Sequence, residues 1–325
     1  MDVVYGGLAE EKDIDGRAFP LLIQPQNTEE TTKDNTLQWV KKNALHIKQL
    51  MLEHGAVLLR GFPVEDAYDF ENILENAQFE NMPYVGGAAP RQEVTQGRIL
   101  TANESPPSEP IPFHHEMAQV PNPPAYVCFY CDVPPQVGGA TPIVHSHRVY
   151  QRFQAISPEF CQRIEEVGVR YVRVMPDQDD ASSPIGRSWR STFQTNDRLE
   201  AEARMKAIGT TWKWLDDGNL YTETTTVPAI RTDERTQKKT FFNSMVAAYT
   251  GWVDQRNDPK KAVCCGDGTP VDGEVLEATA KAMVEESVAF QWQKGDVLLI
   301  DNGLVLHSRQ PFEGSRRILA SIAIA

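Results

Sequence analysis

The spacing of apolar and polar positions changes several times along the chain, and each change marks an element. Leu37, Val40, Leu45, Ile47, Leu50 and Met51 recur at helical spacing between residues 36 and 53, which predicts an amphipathic helix. Gly55 follows as its stop. The next run, AVLLRGF, is short, apolar and bounded by glycine, the pattern of a buried strand. Asp69–Ala77 reads as a second helix. Residues 82–112 lose all periodicity and fill with glycine and proline (PYVGGAAPR, NESPPSEPIP); a loop this long inside a domain is commonly a binding segment. Tyr126–Val133 (YVCFYCDV) is rich in β-formers, and PPQVGGATP supplies a turn and a strand start. A helix is expected from His145 to about Val167, then a strand in VGVRYVRVM, then helices over 197–208 and 272–286. The chain ends in the strand-like runs FQW, DVLLI and RRILASIAIA. This order predicts an α+β, mainly β architecture, with an antiparallel core and helices packed outside. Residues 1–35 are polar and read as an irregular N-terminal arm, followed by a single domain over 36–325.

Composition narrows the function. A chain of 325 residues buries enough surface to need no disulfide or structural metal. Its net charge of −13 argues against a nucleic-acid partner, which needs a basic face, and favours a small-molecule substrate. Five cysteines are an odd count and do not form a secreted disulfide framework. There is no basic-then-apolar leader and no run near the ~18 apolar residues that span a membrane. The expectation is a reduced, cytoplasmic protein with no membrane contact.

The candidate chemistry lies in PFHHEMAQ. On a strand, residues two apart face the same side, so His114 and Glu116 could reach one metal together, whereas His115 would point away. Of the seven histidines, His307 sits in the strand-like segment GDVLLIDNGLVLH near the C-terminus. Two imidazoles and one carboxylate on one face leave three positions open on an octahedral ion, the donor set of non-haem iron(II) oxygenases. His145 and His147 form a competing pair, read as ordinary polar residues at a helix start. His46 and His54 read as helix-surface residues, and Cys128 and Cys131 as small buried hydrophobes.

HHEMAQ, the downstream GGATP and the terminal IDN…H…RRI together resemble the taurine dioxygenase (TauD/TfdA) and clavaminate synthase superfamily. Glutamate in H-x-E, with YVGGAAPR, TANESPP, NSMVAAYTGW and GDVLLIDN, resembles its clavaminate synthase-like branch. The resemblance spans roughly residues 50–325. It implies a double-stranded β-helix (jelly-roll) core. It also implies an Fe(II)- and 2-oxoglutarate-dependent dioxygenase that consumes O2, with His114, Glu116 and His307 as iron ligands. Thr141 matches the threonine that hydrogen-bonds the distal carboxylate of 2-oxoglutarate. Arg317 matches the arginine that pairs with that carboxylate; a guanidinium fork suits this task, and Arg317 is chosen over Arg316 by its register with Ile318. Where taurine dioxygenase carries a second arginine four residues later, this chain has Ser321, which argues against a sulfonate substrate.

Substrate-side candidates come from the loops before the metal strand: Tyr84, Arg91, Asn103 and Glu104, with Ser321 nearby. Glu104 could meet an amino group, which would suit an amino-acid-like substrate. Arg187, Arg190, Asn243 and Met245 are weaker candidates, and Asp301 and Asn302 are expected to orient His307. Two other readings compete. A cupin-like hydrolase or lyase would have no use for Thr141 and Arg317. A non-catalytic 2-oxoglutarate-binding protein would be expected to lose a metal ligand.

Overall fold

The longest apolar runs build the centre of one sheet. In the computed structural model, which describes residues 1–325, strand Tyr126–Val133 is buried at its first six positions and Val297–Asp301 at all five. They pair antiparallel. The full sheet has seven strands in the order Val3–Gly6, Leu21–Pro25, Ala56–Leu59, Val297–Asp301, Tyr126–Val133, Arg317–Ala323 and Leu100–Thr101. All pairings are antiparallel except Leu21–Pro25 against Ala56–Leu59. A three-stranded sheet places Val305–Arg309 between Ile143–His145 and Ile111–His114.

The two-residue repeat decides what each face meets. Val127, Phe129, Leu298 and Ile300 point inward and share one core with Ile143 and Val305 of the small sheet. Their neighbours Cys128, Tyr130, Val297 and Leu299 point outward and pack on Ile47, Met51, Phe70 and Ile73 of the helices. The small sheet turns its other face, Val144 and Leu306, toward Phe153, Phe241 and Met245. A further four-stranded sheet contains Val169–Met175, whose strict alternation of buried and half-buried positions fits the periodicity of VRYVRVM. No helix is long and apolar enough to cross a membrane.

Four expectations are corrected. Residues 1–35 are not an irregular arm: Val3–Gly6 and Leu21–Pro25 extend the main sheet, because Leu21, Leu22 and Ile23 form an apolar triplet inside a polar stretch. The helix of 36–53 is two helices, Lys33–Lys42 and Ala44–His54, broken at Asn43. The helix of 145–167 is also two, Ser146–Ile156 and Pro158–Val167. Ser157 separates them by capping the second, and proline fits the first turn there. FQW is not a strand.

Candidate metal centre

Strand pairing brings the two histidines together. His307 lies opposite His114 across the small sheet, and their ring centroids are 4.3 Å apart. Strand Ile111–His114 ends at His114, so Glu116 sits in the following turn rather than on the strand. One ligand atom from each of His114, Glu116 and His307 falls within 4.8 Å of the other two. His307 Nε2 is 3.6 Å from Glu116 Oε2.

The turn is held from below by Asn302. Its Oδ1 accepts from the Glu116 backbone N–H at 2.8 Å, while its Nδ2 donates to the carbonyls of Glu116 and Pro124. Met117 then adopts a positive φ of 54°, a strained conformation that persists where surrounding contacts fix it. Asn302 therefore orients Glu116, not His307 as expected. Asp301 faces away and holds Arg235. His115 points to the opposite side, where its ring nitrogens bond Asn302 O and Ser146 Oγ. This settles His114, not His115, as the histidine that faces His307.

His114 Nδ1 lies 2.9 Å from the carbonyl of Pro112, which assigns the proton to Nδ1 and leaves Nε2 free as a donor to a metal. Burial lowers the pKa of His114 and lowers that of His307 well below the usual value. Both rings are neutral near pH 7, the form that binds metal. Two neutral imidazoles and a carboxylate converging in one cavity fit an octahedral iron(II) site with open positions.

The cavity beside these residues is walled by Phe129, Thr141, Arg316 and Ile318, among others. Arg316 Nε donates to Gly139 O at 2.8 Å, and its Nη2 to Thr141 Oγ1 at 3.1 Å. The GG of GGATP makes this possible. Gly138 and Gly139 have φ values of 67° and 66°, a region favouring glycine, and a Cβ on Gly139 would lie 2.8 Å from Pro135 Cβ. Trp292 Nε1 also donates to Thr141 Oγ1, fixing the hydroxyl.

Arg317 does not reach this cavity. Its side chain is 50% exposed and pairs with Asp132 on the outer surface. The reason is alternation along its own strand: Ile318, Ala320 and Ile322 face the inner core, so Arg317 faces the other way. Arg316 and Ile318 line the cavity instead. The register against the neighbouring strand skips Asp132, with Arg317 opposite Val133 and Ile318 opposite Cys131. The same alternation turns Ser321 away from the metal: it is buried, and its strand neighbours Leu319 and Ala323 belong to the outer, helix-covered core. Ala320, four residues after Arg316, packs in the inner core and offers no second cation.

Tyr84, Arg91 and Asn103 line the cavity. Glu104 does not: it is exposed and receives a hydrogen bond from Gln92. Arg187 stands behind Tyr84, its guanidinium 4.6 Å from the ring centroid. Arg190 pairs with Asp177, Asn243 bonds Ala229 O and the Met245 N–H, and Met245 is core. Arg309, two residues after His307 on the same strand, is a further residue of this site, and the spacing alone pointed to it. It lines the cavity and donates to the carbonyls of Asn103, Ser105, Pro106 and Glu109, clamping the preceding loop.

Over 319 residues the chain is 50% identical to a clavaminate synthase-like protein of Arabidopsis thaliana, covering 97% of this chain and 96% of that protein. It is 29% identical to the dapdiamide synthesis protein DdaC of Enterobacter agglomerans, over 85% of this chain and 84% of that one. Its fold is similar to PvcB from Pseudomonas aeruginosa at 17% identity, with 99% of this chain and 91% of that chain covered and a TM-score of 0.57. A second PvcB structure, matched with a TM-score of 0.51 at the same coverage, is described as an Fe, alpha-ketoglutarate dependent oxygenase from an isonitrile synthetic pathway. The model of the taurine catabolism dioxygenase TauD, TfdA family matches residues 23–322, and this chain belongs to that family.

Proposed function

We propose that this protein is an Fe(II)- and 2-oxoglutarate-dependent dioxygenase that oxidises an unactivated C–H bond of a small molecule, releasing succinate and CO2. The observation that carries the reading is the convergence of His114, Glu116 and His307 within 4.8 Å, in one cavity with the hydrogen-bonded Arg316–Thr141 pair. The description of PvcB as an Fe, alpha-ketoglutarate dependent oxygenase supports it. The two sheets facing each other across one core support reading the fold as a double-stranded β-helix.

In this reading His114, Glu116 and His307 hold the iron. Bound iron and 2-oxoglutarate together supply the activation of O2. Arg316 and Thr141 take the distal carboxylate of 2-oxoglutarate, the charge on the guanidinium and the direction on the hydroxyl. Arg316 takes the role that the sequence resemblance gave to Arg317. Phe129 and Ile318 keep water from the reacting face, where fixed dipoles act more strongly. Asn302 holds the Glu116 turn, and Pro112 holds the His114 tautomer. A cupin-like hydrolase would leave the cavity-lining arginine bonded to Thr141 without a task.

The test is anaerobic titration of the iron(II)-loaded protein with 2-oxoglutarate, followed by visible absorption. A weak charge-transfer band that is absent in His114→Ala is the expected result. Intact, iron-loaded protein that shows no band would overturn the assignment.

A further inference from the structure

We infer that Arg91 is the receptor for a carboxylate group of the primary substrate, so that the enzyme acts on small carboxylates with an apolar body. The inference rests on the dioxygenase reading above and names the substrate class of the same cavity.

Local sequence builds the receptor. The segment YVGGAAPR curls around the ring of Tyr84. Gly86 has a positive φ of 84°, and a Cβ on Gly87 would lie 2.0 Å from Tyr84 Cζ, so the backbone passes where no other residue fits. The Ala89 N–H donates to Tyr84 Oη at 3.2 Å. The ring is thereby fixed, and two guanidinium groups lie on it: Arg187 and Arg91, the latter 4.2 Å from the centroid. Arg187 donates from Nη1 to the carbonyl of Gly87 and from Nη2 to those of Tyr84 and Ser191.

Arg91 is not occupied. Its side chain is 5% exposed, and Nη2 reaches Glu116 Oε2 at 2.8 Å. Nε and Nη1 have no partner, and among the arginines with such buried nitrogens only Arg91 has two. Three N–H bonds of a buried cation are left unmet, an arrangement that is costly unless something fills it. A planar carboxylate matches the planar donor edge of a guanidinium, and stacking on Tyr84 holds that plane in place.

Charge points the same way. The charged side chains lining the cavity are Arg91, Arg309 and Arg316 against Glu116, an excess of two positive charges in a protein of net charge −13. A divalent metal and a dianionic 2-oxoglutarate cancel each other and leave this excess in place. That excess favours an anionic ligand, and among the three arginines it is Arg91 that has two buried nitrogens without a partner; Arg316 and Arg309 already donate to Gly139, Thr141 and loop carbonyls. The rest of the wall is largely apolar, with Ala88, Ala89, Ile111, Met117, Ile185 and Trp252, which suits a hydrocarbon or aromatic body. Glu104, the acid that would greet an amino group, is outside.

The experiment is isothermal titration of the full chain, loaded with Mn(II) and saturated with 2-oxoglutarate. The probes are phenylacetate, hexanoate and N-acetylphenylalanine, with 2-phenylethanol, hexanol, N-acetylphenylalaninol and phenylmethanesulfonate as comparators. At least one carboxylate is expected to bind more tightly than its alcohol and than the sulfonate. Arg91→Gln should weaken it at least about 30-fold, the low end for truncating one partner of a buried charge pair, and Arg91→Lys should recover part of the loss. With each variant saturated with Mn(II) and 2-oxoglutarate at its own measured affinity, because Arg91 also bonds Glu116, the alcohols should change by less than about 3-fold. Carboxylates that bind no better than alcohols, a preference for the sulfonate, or equal losses for carboxylate and alcohol in Arg91→Gln would each overturn the inference. Failure of 2-oxoglutarate to bind the metal-loaded wild type would instead strike the dioxygenase reading, and is read separately in a first titration.

Discussion

Two adjacent arginines make opposite predictions, and the contrast tests the proposed 2-oxoglutarate site. Arg316 is half-buried, and desolvation lowers its pKa to about 10, so it remains charged at neutral pH. Two of its nitrogens are held by Gly139 O and Thr141 Oγ1; Nη1 is left for a ligand. Replacing it with glutamine removes the charge opposite the distal carboxylate while keeping a side chain that can bond Gly139 or Thr141. Truncating one member of a buried charge pair costs about 2–5 kcal/mol, or roughly 30- to 4,000-fold in affinity. Arg317 is half exposed and bonded only to Asp132 on the surface. Such a pair contributes about 0–1 kcal/mol, and it lies outside the cavity, so Arg317→Gln should change 2-oxoglutarate affinity by less than about 3-fold. Arg316→Lys keeps a point charge without the fork and should fall between. The assay is the anaerobic 2-oxoglutarate titration of iron(II)-loaded protein, with thermal unfolding as a control for folding. Normal affinity in Arg316→Gln, or equal losses in the two glutamine variants, would refute the reasoning.

Other residues give sharper local tests. Asn302→Ala strands the Glu116 N–H and the carbonyls of Glu116 and Pro124. At about 1–3 kcal/mol for a buried unmet group, it should lower Tm measurably and weaken iron binding about 10- to 100-fold, read by thermal unfolding and metal titration. Gly139→Ala forces a side chain onto a φ of 66° and into Pro135; it should weaken 2-oxoglutarate more than iron, read by the same two titrations. Burial pushes the thiols of Cys128 and Cys131 up to about 12, so a thiol reagent at pH 8 should leave both unmodified in native protein and label them in denaturant, as mass spectrometry of digests would show. His145 is buried, and desolvation lowers its pKa to about 4. The unfolded chain, with a histidine near 6.5, then binds the extra proton as pH falls from about 6.5 to 4. Stability should decline through that window by on the order of 3 kcal/mol from this residue, and the decline should be shallower in His145→Gln, measured by denaturant unfolding at each pH.

Much of the site was legible because it follows from period. Alternation along FHHEM puts His114 and Glu116 on one side and His115 on the other, and the structure follows it even though the strand stops at His114. The apolar runs of Tyr126–Val133 and Val297–Asp301 announced the buried centre of the sheet for the same reason. What was not legible depends on contacts that have no local signature. Leu21–Ile23 is too short a run to stand out in a polar stretch, and it becomes a strand where Val3–Gly6 and Ala56–Leu59 pair with it on either side. Asn302 could be recognised as important in IDN, but its target, the Glu116 turn far away in sequence, could not.

The choice between Arg316 and Arg317 shows that period is a guide only once the inward face is known. Counting by twos back from Ile318 leads to Arg316; counting by fours from Arg317 leads to Ser321. The two counts belong to opposite faces, and the inward burial of Ile318, Ala320 and Ile322 decides between them. That assignment places Arg316 on the metal side of the sheet and Arg317 on the outer side. Alternation thus gives two neighbouring cations different environments: Asp132 and solvent for Arg317, Gly139 and Thr141 for Arg316. The strand supplies no second inward-facing arginine, because Ala320 fills that side. Anion capacity in the cavity is therefore fixed by Arg316 on the sheet and Arg91 on the loop, and a second anionic ligand has to enter from the loop side.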